Sequence, residues 1–359
     1  MIKRVLIVCW AAHLGGVESS VYTRMKGLRQ LGVEPELLFY QTGEGLRTFR
    51  DFQTIVTSDP YSLLAKLRDG SYDGISLVNF THFMKAIRMA EYKRPVVFEV
   101  HGRLSRLKEE CGNLSAEEVA AIMVPSDYTK AIVRRALGDK AIPIASVFDA
   151  VDTDLFHPSD GASDHLAAVL PKETRVLLWV GRLDPNKNWT ELLAIASRLS
   201  HTRNDLEWWV VSDTSVSPDT DAFDQQVKLR QLSPVIRLFE RVPHEQMPQF
   251  YRAAAQSGGC TLSTSISEGL QNSLLEAMAC GCPVISSSVG GNIEMITHGT
   301  NGLLYPLGDI SAATEAINQL LGHPSERAGL INGGISAIAE HHSPIGHARA
   351  FLALLGAQR

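Results

Sequence analysis

The sequence predicts an α/β protein built as two doubly wound domains. Three observations carry this. Short apolar runs alternate with amphipathic stretches along the whole chain, the pattern of parallel strands buried on both faces and joined by helices. The alternation restarts near residue 175, after a stretch holding Pro158, Gly161 and Pro171, a composition typical of a domain boundary. The length, 359 residues, suits two cores of ordinary size better than one.

The first run reads as strands at 4–9, 36–40, 74–78, 96–100, 121–124 and 142–146. Helical spacing of apolar residues falls between them at 20–31, 61–68 and 128–137. The second run reads as strands at 175–180, 206–211, 235–238, 259–262 and 283–286, with helices at 189–200, 245–254 and 272–280. The expected organisation is therefore a first domain over 1–155, a linker over 156–174 and a second domain over 175–342. Residues 343–359 form a closing apolar helix.

Composition narrows the function classes. Apolar content of 45% and charged content of 20% are those of a soluble globular chain. No apolar run reaches bilayer-spanning length. The opening apolar run ends by Ala12, and His13-Leu14-Gly15-Gly16 is a poor cleavage site, so a first strand is the better reading than a signal peptide. Five cysteines, an odd count, fit a reducing cytoplasm. Cys280-x-Cys282 has no second pair to make a metal knuckle. A net charge of −5 argues against nucleic acid as a partner. Basic clusters occur at Arg24, Lys26 and Arg29, at Lys85, Arg88, Lys93 and Arg94, and at Lys130, Arg134 and Arg135. They are expected on solvated helix faces; peripheral membrane contact is disfavoured because no helix sets an aromatic-rich apolar face beside them.

Ligands of open parallel sheets bind beyond the carboxyl ends of the strands. Most candidate residues follow a strand in that way. Glu268 stands in a Ser- and Gly-rich loop, and Glu276 about one turn inside a helix capped by Asn272 or Ser273. One carboxylate suits sugar hydroxyls, the other a ribose diol, and the helix start favours phosphate. Gly181-Arg182-Leu183-Asp184-Pro185-Asn186-Lys187 delivers two cations from one loop, and converging cations can neutralise a diphosphate leaving group. Gly15 and Gly16 open a helix after the first strand, without the full glycine fingerprint of a dinucleotide site. His101 ends a strand and precedes Gly102 and Arg103. Arg241 and Val242 leave another strand, and Glu294 follows Gly290-Gly291.

Taken together, Ser-x-Ser-Glu-Gly, Leu-Leu-Glu-Ala-Met-Ala-Cys-Gly-Cys-Pro-Val-Ile, Gly-Gly-Asn-Ile-Glu and Gly-Arg-Leu…Lys resemble the retaining glycosyltransferases of family 4. The resemblance runs from Val5 to about Leu354. It implies the GT-B architecture, two Rossmann-like domains facing across a cleft, with the last helix returning to the first domain. It implies that Arg182 and Lys187 hold the donor diphosphate and Glu276 the ribose. Glu268, Gly269, Leu270, Gln271 and Asn272 would meet the sugar, Arg241 and Val242 the base, Gly15 and Gly16 the phosphates and acceptor, and His101 the reacting centre. Three segments depart from the common family pattern: Asp149-Ala150-Val151-Asp152, Ser212-Asp213-Thr214 and Leu270-Gln271-Asn272.

The expected activity is transfer of a hexose or N-acetylhexosamine from an NDP-sugar, UDP-linked by preference, to a hydroxyl acceptor. No cofactor and no metal are expected; the NDP-sugar is a co-substrate. A GT-B epimerase, a phosphorylase and a non-catalytic scaffold are the alternatives.

Overall fold

The structure, a computed structural model, describes residues 2–13, 15–68, 71–101, 106–159, 166 and 173–356. Arg103, Gly102 and most of the expected linker, including Asp160, Gly161 and Pro171, lie outside the described residues. The chain divides into two compact units. Unit 1 is Met1–Ala150 with His342–Arg359, and unit 2 is Val151–His341.

Unit 1 holds β1 (Arg4–Ala11), α1 (Gly16–Gln30), β2 (Glu34–Gln41), β3 (Gln53–Val56), α2 (Pro60–Arg68), β4 (Gly74–Val78) and α3 (Met84–Met89). It continues with β5 (Val96–Glu99), α4 (Leu107–Gly112), β6 (Ala121–Val124), α5 (Asp127–Leu137) and β7 (Ile144–Ser146). The seven strands are all parallel, in the order β3-β2-β1-β4-β5-β6-β7. Apolar runs rather than alternation mark these strands because both faces are covered. In β1, Leu6 and Val8 enter one core layer while Val5, Ile7 and Cys9 enter the other.

Unit 2 repeats the scheme with β8 (Arg175–Val180), α6 (Trp189–Ser200), β9 (Leu206–Ser212), α7 (Thr220–Leu229), β10 (Ile236–Glu240) and α8 (Met247–Gln256). Then come β11 (Cys260–Ser263), α9 (Asn272–Ala279), β12 (Val284–Ser287), α10 (Asn292–Met295), β13 (Leu303–Tyr305), α11 (Ile310–Gly322) and α12 (Pro324–His341). Its six parallel strands run β10-β9-β8-β11-β12-β13. Leu177 and Trp179 of β8 enter one layer, Val176 and Leu178 the other.

Several elements were not expected. β3 and β13 are short, and β3 is a half-exposed edge strand, so neither leaves a clear pattern. α12 carries Gly329, Gly333 and Gly334, which weaken a helical signal. Gly333 is needed there because any Cβ would overlap the carbonyl of Thr300. The start of α9 is also corrected: Gln271 is the N-cap, without a side-chain cap bond, and Asn272 already lies inside the helix.

Arg24 departs most from expectation. It does not face solvent; it is fully buried and paired with the equally buried Glu99 at 2.6 Å. The ring of Phe351 covers its guanidinium at 4.5 Å. Phe351 belongs to α13 (Pro344–Gly356), which packs on α1 within unit 1. All five cysteines are buried and free. Among the described residues, no helix is long and apolar enough to cross a membrane.

The α1–α13 contact depends on a missing side chain. A Cβ on Gly27 would overlap the carbonyl of Pro344 and press on Ala348. Gly27→Ala is therefore expected to cost about 1–3 kcal/mol, read as a lower urea midpoint with an unchanged slope.

Candidate functional site

In unit 2, β8 ends at Val180 and the chain turns through Gly181, whose N–H donates to the Val211 carbonyl at 3.1 Å. The turn is shaped by Asp184. Its Oδ1 accepts the Lys187 N–H at 2.8 Å, and its Oδ2 accepts the Arg182 Nε–H at 2.9 Å. Arg182 therefore stays 57% exposed while tied at its base. Lys187 folds back across Gly181, where a Cβ would crowd its methylenes. Its ammonium meets the Glu268 carboxylate at 2.7 Å, with the side chains 19% and 12% exposed.

The loop after β11 is laced to this turn. Ile266 N–H donates to Asn186 O at 2.7 Å, Asn186 Nδ2 to Ser267 O at 3.0 Å, and Thr264 Oγ1 to Lys187 O at 2.9 Å. Trp179 Nε1 donates in turn to Thr264 Oγ1 at 3.0 Å. Beneath Glu268 lies Gly290, at φ +50°, where any Cβ would overlap the Glu268 carbonyl oxygen. Gly291 N–H donates to that oxygen at 2.9 Å. The Gly-Gly pair thus sets the height of Glu268.

Two residues next along the chain are engaged within the protein. Leu270 is a core residue. Gln271 is buried, its Oε1 accepting from Ser263 Oγ at 2.6 Å and Asn292 Nδ2 at 3.2 Å. Asn272 is buried in α9, and Gly269 is half-buried. Arg241 is exposed at φ +48°, its N–H donating to Ser212 O at 3.0 Å, and Val242 is half-buried beside it.

Glu276 forms a separate cluster. Its Oε1 lies 2.9 Å from His244 Nε2, and its Oε2 accepts the Tyr251 hydroxyl at 2.8 Å. Burial would lower the pKa of His244, yet the hydrogen bond and charge of Glu276, with Asp152 and Glu245, raise it above its ordinary value. Burial and Glu276 push Tyr251 far up, so it remains a donor. Sequence reasoning missed both partners. His244 follows Pro243 at the exit of β10, so the rule about strand ends pointed at it.

Unit 1 holds the other candidates. Gly15 is the extended N-cap of α1, which begins at Gly16, and its carbonyl accepts from Ser19 N–H at 3.0 Å. His101 follows β5, its N–H bound by Asn79 Oδ1 at 2.7 Å. Its Nε2 lies 2.8 Å from Glu99 Oε2 and its Nδ1 3.5 Å from Asp149 Oδ1. The second distance is that of an ion pair rather than a hydrogen bond. Burial alone would lower the pKa of His101, but Asp149 and then Glu99 outweigh it and hold the ring up to about 9. Arg24 and His101 keep Glu99 far below the carboxylate range despite burial, and His101 lowers Asp149 from its ordinary value against the effect of burial.

The structure therefore brings Lys187 and Glu268 into contact and places Arg182 on the same turn. Glu276 is held in its own cluster within unit 2, and His101, Gly15 and Gly16 belong to unit 1. No group of three His, Cys, Asp or Glu side chains among the described residues is arranged to hold a metal ion.

Two outcomes follow. Gly290→Ala sets a Cβ against the Glu268 carbonyl at positive φ and, like Gly27→Ala, is expected to cost about 1–3 kcal/mol, read as a lower urea midpoint with an unchanged slope. The second concerns pH. The His101 pKa in the folded chain is raised from 6.5 to about 9, so the folded state keeps a proton that the unfolded chain releases. This stabilisation is full below 6.5 and is lost as pH rises toward about 9. Urea midpoints are expected to fall over that window, and Asp149→Asn to flatten the fall.

With this geometry in place, the chain can be set beside known proteins. Residues 14–155 match the family described as Glycosyltransferase Family 4, and residues 174–323 the family described as Glycosyl transferases group 1. The D-inositol 3-phosphate glycosyltransferase of Thermobispora bispora is 28% identical over 274 residues, 73% of this chain and 60% of that protein. The 2-deoxystreptamine N-acetyl-D-glucosaminyltransferase of Niallia circulans is 27% identical over 151 residues, 42% of this chain and 37% of that protein. The match thus spans 60% of the length of the Thermobispora relative, and 48–59% of four other D-inositol 3-phosphate glycosyltransferases. Among solved structures, Anabaena HepE in complex with UDP and glucose superposes with a TM-score of 0.84 at 19% identity, covering 99% of this chain and 100% of that one. Sucrose-phosphate synthase from Thermosynechococcus elongatus gives 0.77 at 18% identity, covering 98% of both chains. The two parallel sheets are those of the GT-B fold, and the chain belongs to glycosyltransferase family 4.

Proposed function

We propose that this protein transfers a hexosyl or N-acetylhexosaminyl group from a UDP-sugar to a hydroxyl acceptor, with retention at the anomeric carbon. The observation that carries the reading is the contact of Lys187 with Glu268 on two laced loops, at the carboxyl ends of β8 and β11. That contact pairs a phosphate-binding cation with a hydroxyl-binding carboxylate at the scale of a phosphosugar. Crystal structures of HepE with UDP and with UDP-glucose support the donor class.

The chemistry follows from charge. As the glycosidic bond breaks, the diphosphate gains negative charge, so cations beside it bind the transition state more tightly than the substrate. Arg182 supplies directed donors from an exposed guanidinium that Asp184 Oδ2 holds at both Nε and Nη2; Lys187 supplies a point charge. Together they take the part that a divalent cation plays elsewhere. Glu268 accepts from the sugar hydroxyls. Glu276, steadied by His244 and Tyr251, is the carboxylate assigned to the ribose diol. Same-face attack assisted by the departing diphosphate gives retention without a covalent nucleophile. The buried free thiols support a reducing compartment, the cytoplasm.

The test is a screen of UDP-sugars against hydroxyl acceptors, read by mass spectrometry, with the anomeric configuration of the product assigned by NMR. Lys187→Ala and Arg182→Ala are each expected to lower transfer by about a hundredfold or more, with melting temperatures near wild type. Near-normal rates in both variants would sink the reading.

A further inference from the structure

The buried cluster around His101 is more elaborate than a ligand-contacting histidine requires. Glu99 is its centre. Its Oε1 accepts from Arg24 Nη2 at 2.6 Å and from the Ser76 hydroxyl. Its Oε2 accepts from Arg24 Nη1 at 2.9 Å and faces His101 Nε2 at 2.8 Å. On the other side of the ring, Asp149 Oδ1 faces Nδ1 at 3.5 Å and accepts from Ser20 Oγ at 2.5 Å. The backbone is fixed as well. Asn79, at φ +64°, donates its N–H to Glu99 O at 2.8 Å and offers its side-chain oxygen to the His101 N–H. Arg24 and Glu99 are fully buried, and the side chains of His101 and Asp149 are each 4% exposed.

We propose that Glu99 and Asp149, backed by Arg24, are positioning residues that fix the His101 ring, so that it serves the reaction by place and charge and not by exchanging a proton. The proposal rests on the glycosyltransferase reading above. Its physical basis is that both ring nitrogens face buried carboxylates, Nε2 at hydrogen-bond distance and Nδ1 at ion-pair distance, so the protonated ring is favoured from both sides. A ring that gave up either proton would set a bare nitrogen lone pair against a buried carboxylate, a costly arrangement. The cluster balances as it stands, with two cations against two anions.

Neighbours on every packed element leave that balance intact. From β1, Cys9 is buried and its thiol is pushed well up, by burial first and then by Glu18 and Glu99. From α1 come Ser20, Arg24 and the more distant Glu18; from β4 comes Ser76. From α13, His347 donates its Nδ1–H to Phe148 O at 2.8 Å, and burial, then Arg24, hold its pKa down to about 4, so it is neutral. His342, just before that helix, has its Nδ1 2.7 Å from Asp149 O.

The test uses the full chain with 15N-labelled histidine, the His101 signals assigned by their loss in His101→Gln. At about pH 8, both ring nitrogens are expected to be protonated in the wild type, and Glu99→Gln is expected to turn the ring neutral. The paired readout is UDP release from UDP-glucose as a function of pH. The wild type is expected to show no limb near the ordinary histidine range. Glu99→Gln is expected to lose about tenfold between pH 6 and pH 8, with recovery at the acid end. Asp149→Asn, which removes the longer contact, shifts the profile the same way and serves if Glu99→Gln does not fold. A neutral ring in the wild type overturns the proposal. So does a wild-type limb near 6.5, or a variant rate lowered equally at every pH. If the wild type releases no UDP from any UDP-sugar, the transferase reading fails, and the ring spectrum still decides whether the clamp exists.

Discussion

Charge removed from water has to be matched on the spot, and this constraint shapes both units. Arg24 is the clearest case. A fully buried guanidinium survives only because Glu99 takes two of its N–H groups and Phe351 covers its face. Breaking such a pair typically costs about 3–5 kcal/mol, because the remaining charge is stranded. Everything around it answers to that demand. Glu99 carries a second cation in His101, so Asp149 is needed, and Ser20 steadies Asp149. Unit 2 obeys the same rule in miniature: Glu276 is buried with His244 and Tyr251 on either oxygen.

Lys187 and Glu268 follow a looser version of the rule. They remain partly exposed and paired to each other, so each screens the other until a ligand replaces it. In the donor site proposed above, a phosphate would compete for the lysine and a sugar hydroxyl for the carboxylate. The pair is therefore kept in place by its backbone rather than by its own attraction. Hydrogen bonds between the loop after β8 and the loop after β11 do this, with Gly290 admitting the Glu268 carbonyl where a side chain would exclude it.

The sequence carried the alternation of strands and helices well, because strands buried on both faces leave unbroken apolar runs. It carried β3, β13 and α12 poorly. The first two are too short to show a period, and Gly333 and Gly334 disguise the third. The motif residues were legible as positions, since Arg182, Lys187 and Glu268 all stand just past strand ends. Their partners were not. Arg24 looked like one more basic residue on a helix, and nothing local distinguishes it from Lys26. Its role depends on Glu99, far along the chain, and on a ring from the last helix. Gln271 shows the converse: a polar residue in a binding-type motif has its side chain bonded to Ser263 and Asn292. Hydrogen bonds between residues distant in sequence are what a linear reading cannot see.

The division of the chain bears on how it folds during synthesis. Unit 2 is one continuous segment, Val151–His341, lying inside the sequence of unit 1. A ribosome therefore finishes unit 2 before it has made α13. Until then unit 1 lacks Ala348, Phe351 and Leu355 from its core, and Arg24 has no ring over it. The domain begun first is thus completed last. The face of α1 that α13 covers has no partner until that helix is made, so α13 is the element that closes the core of unit 1.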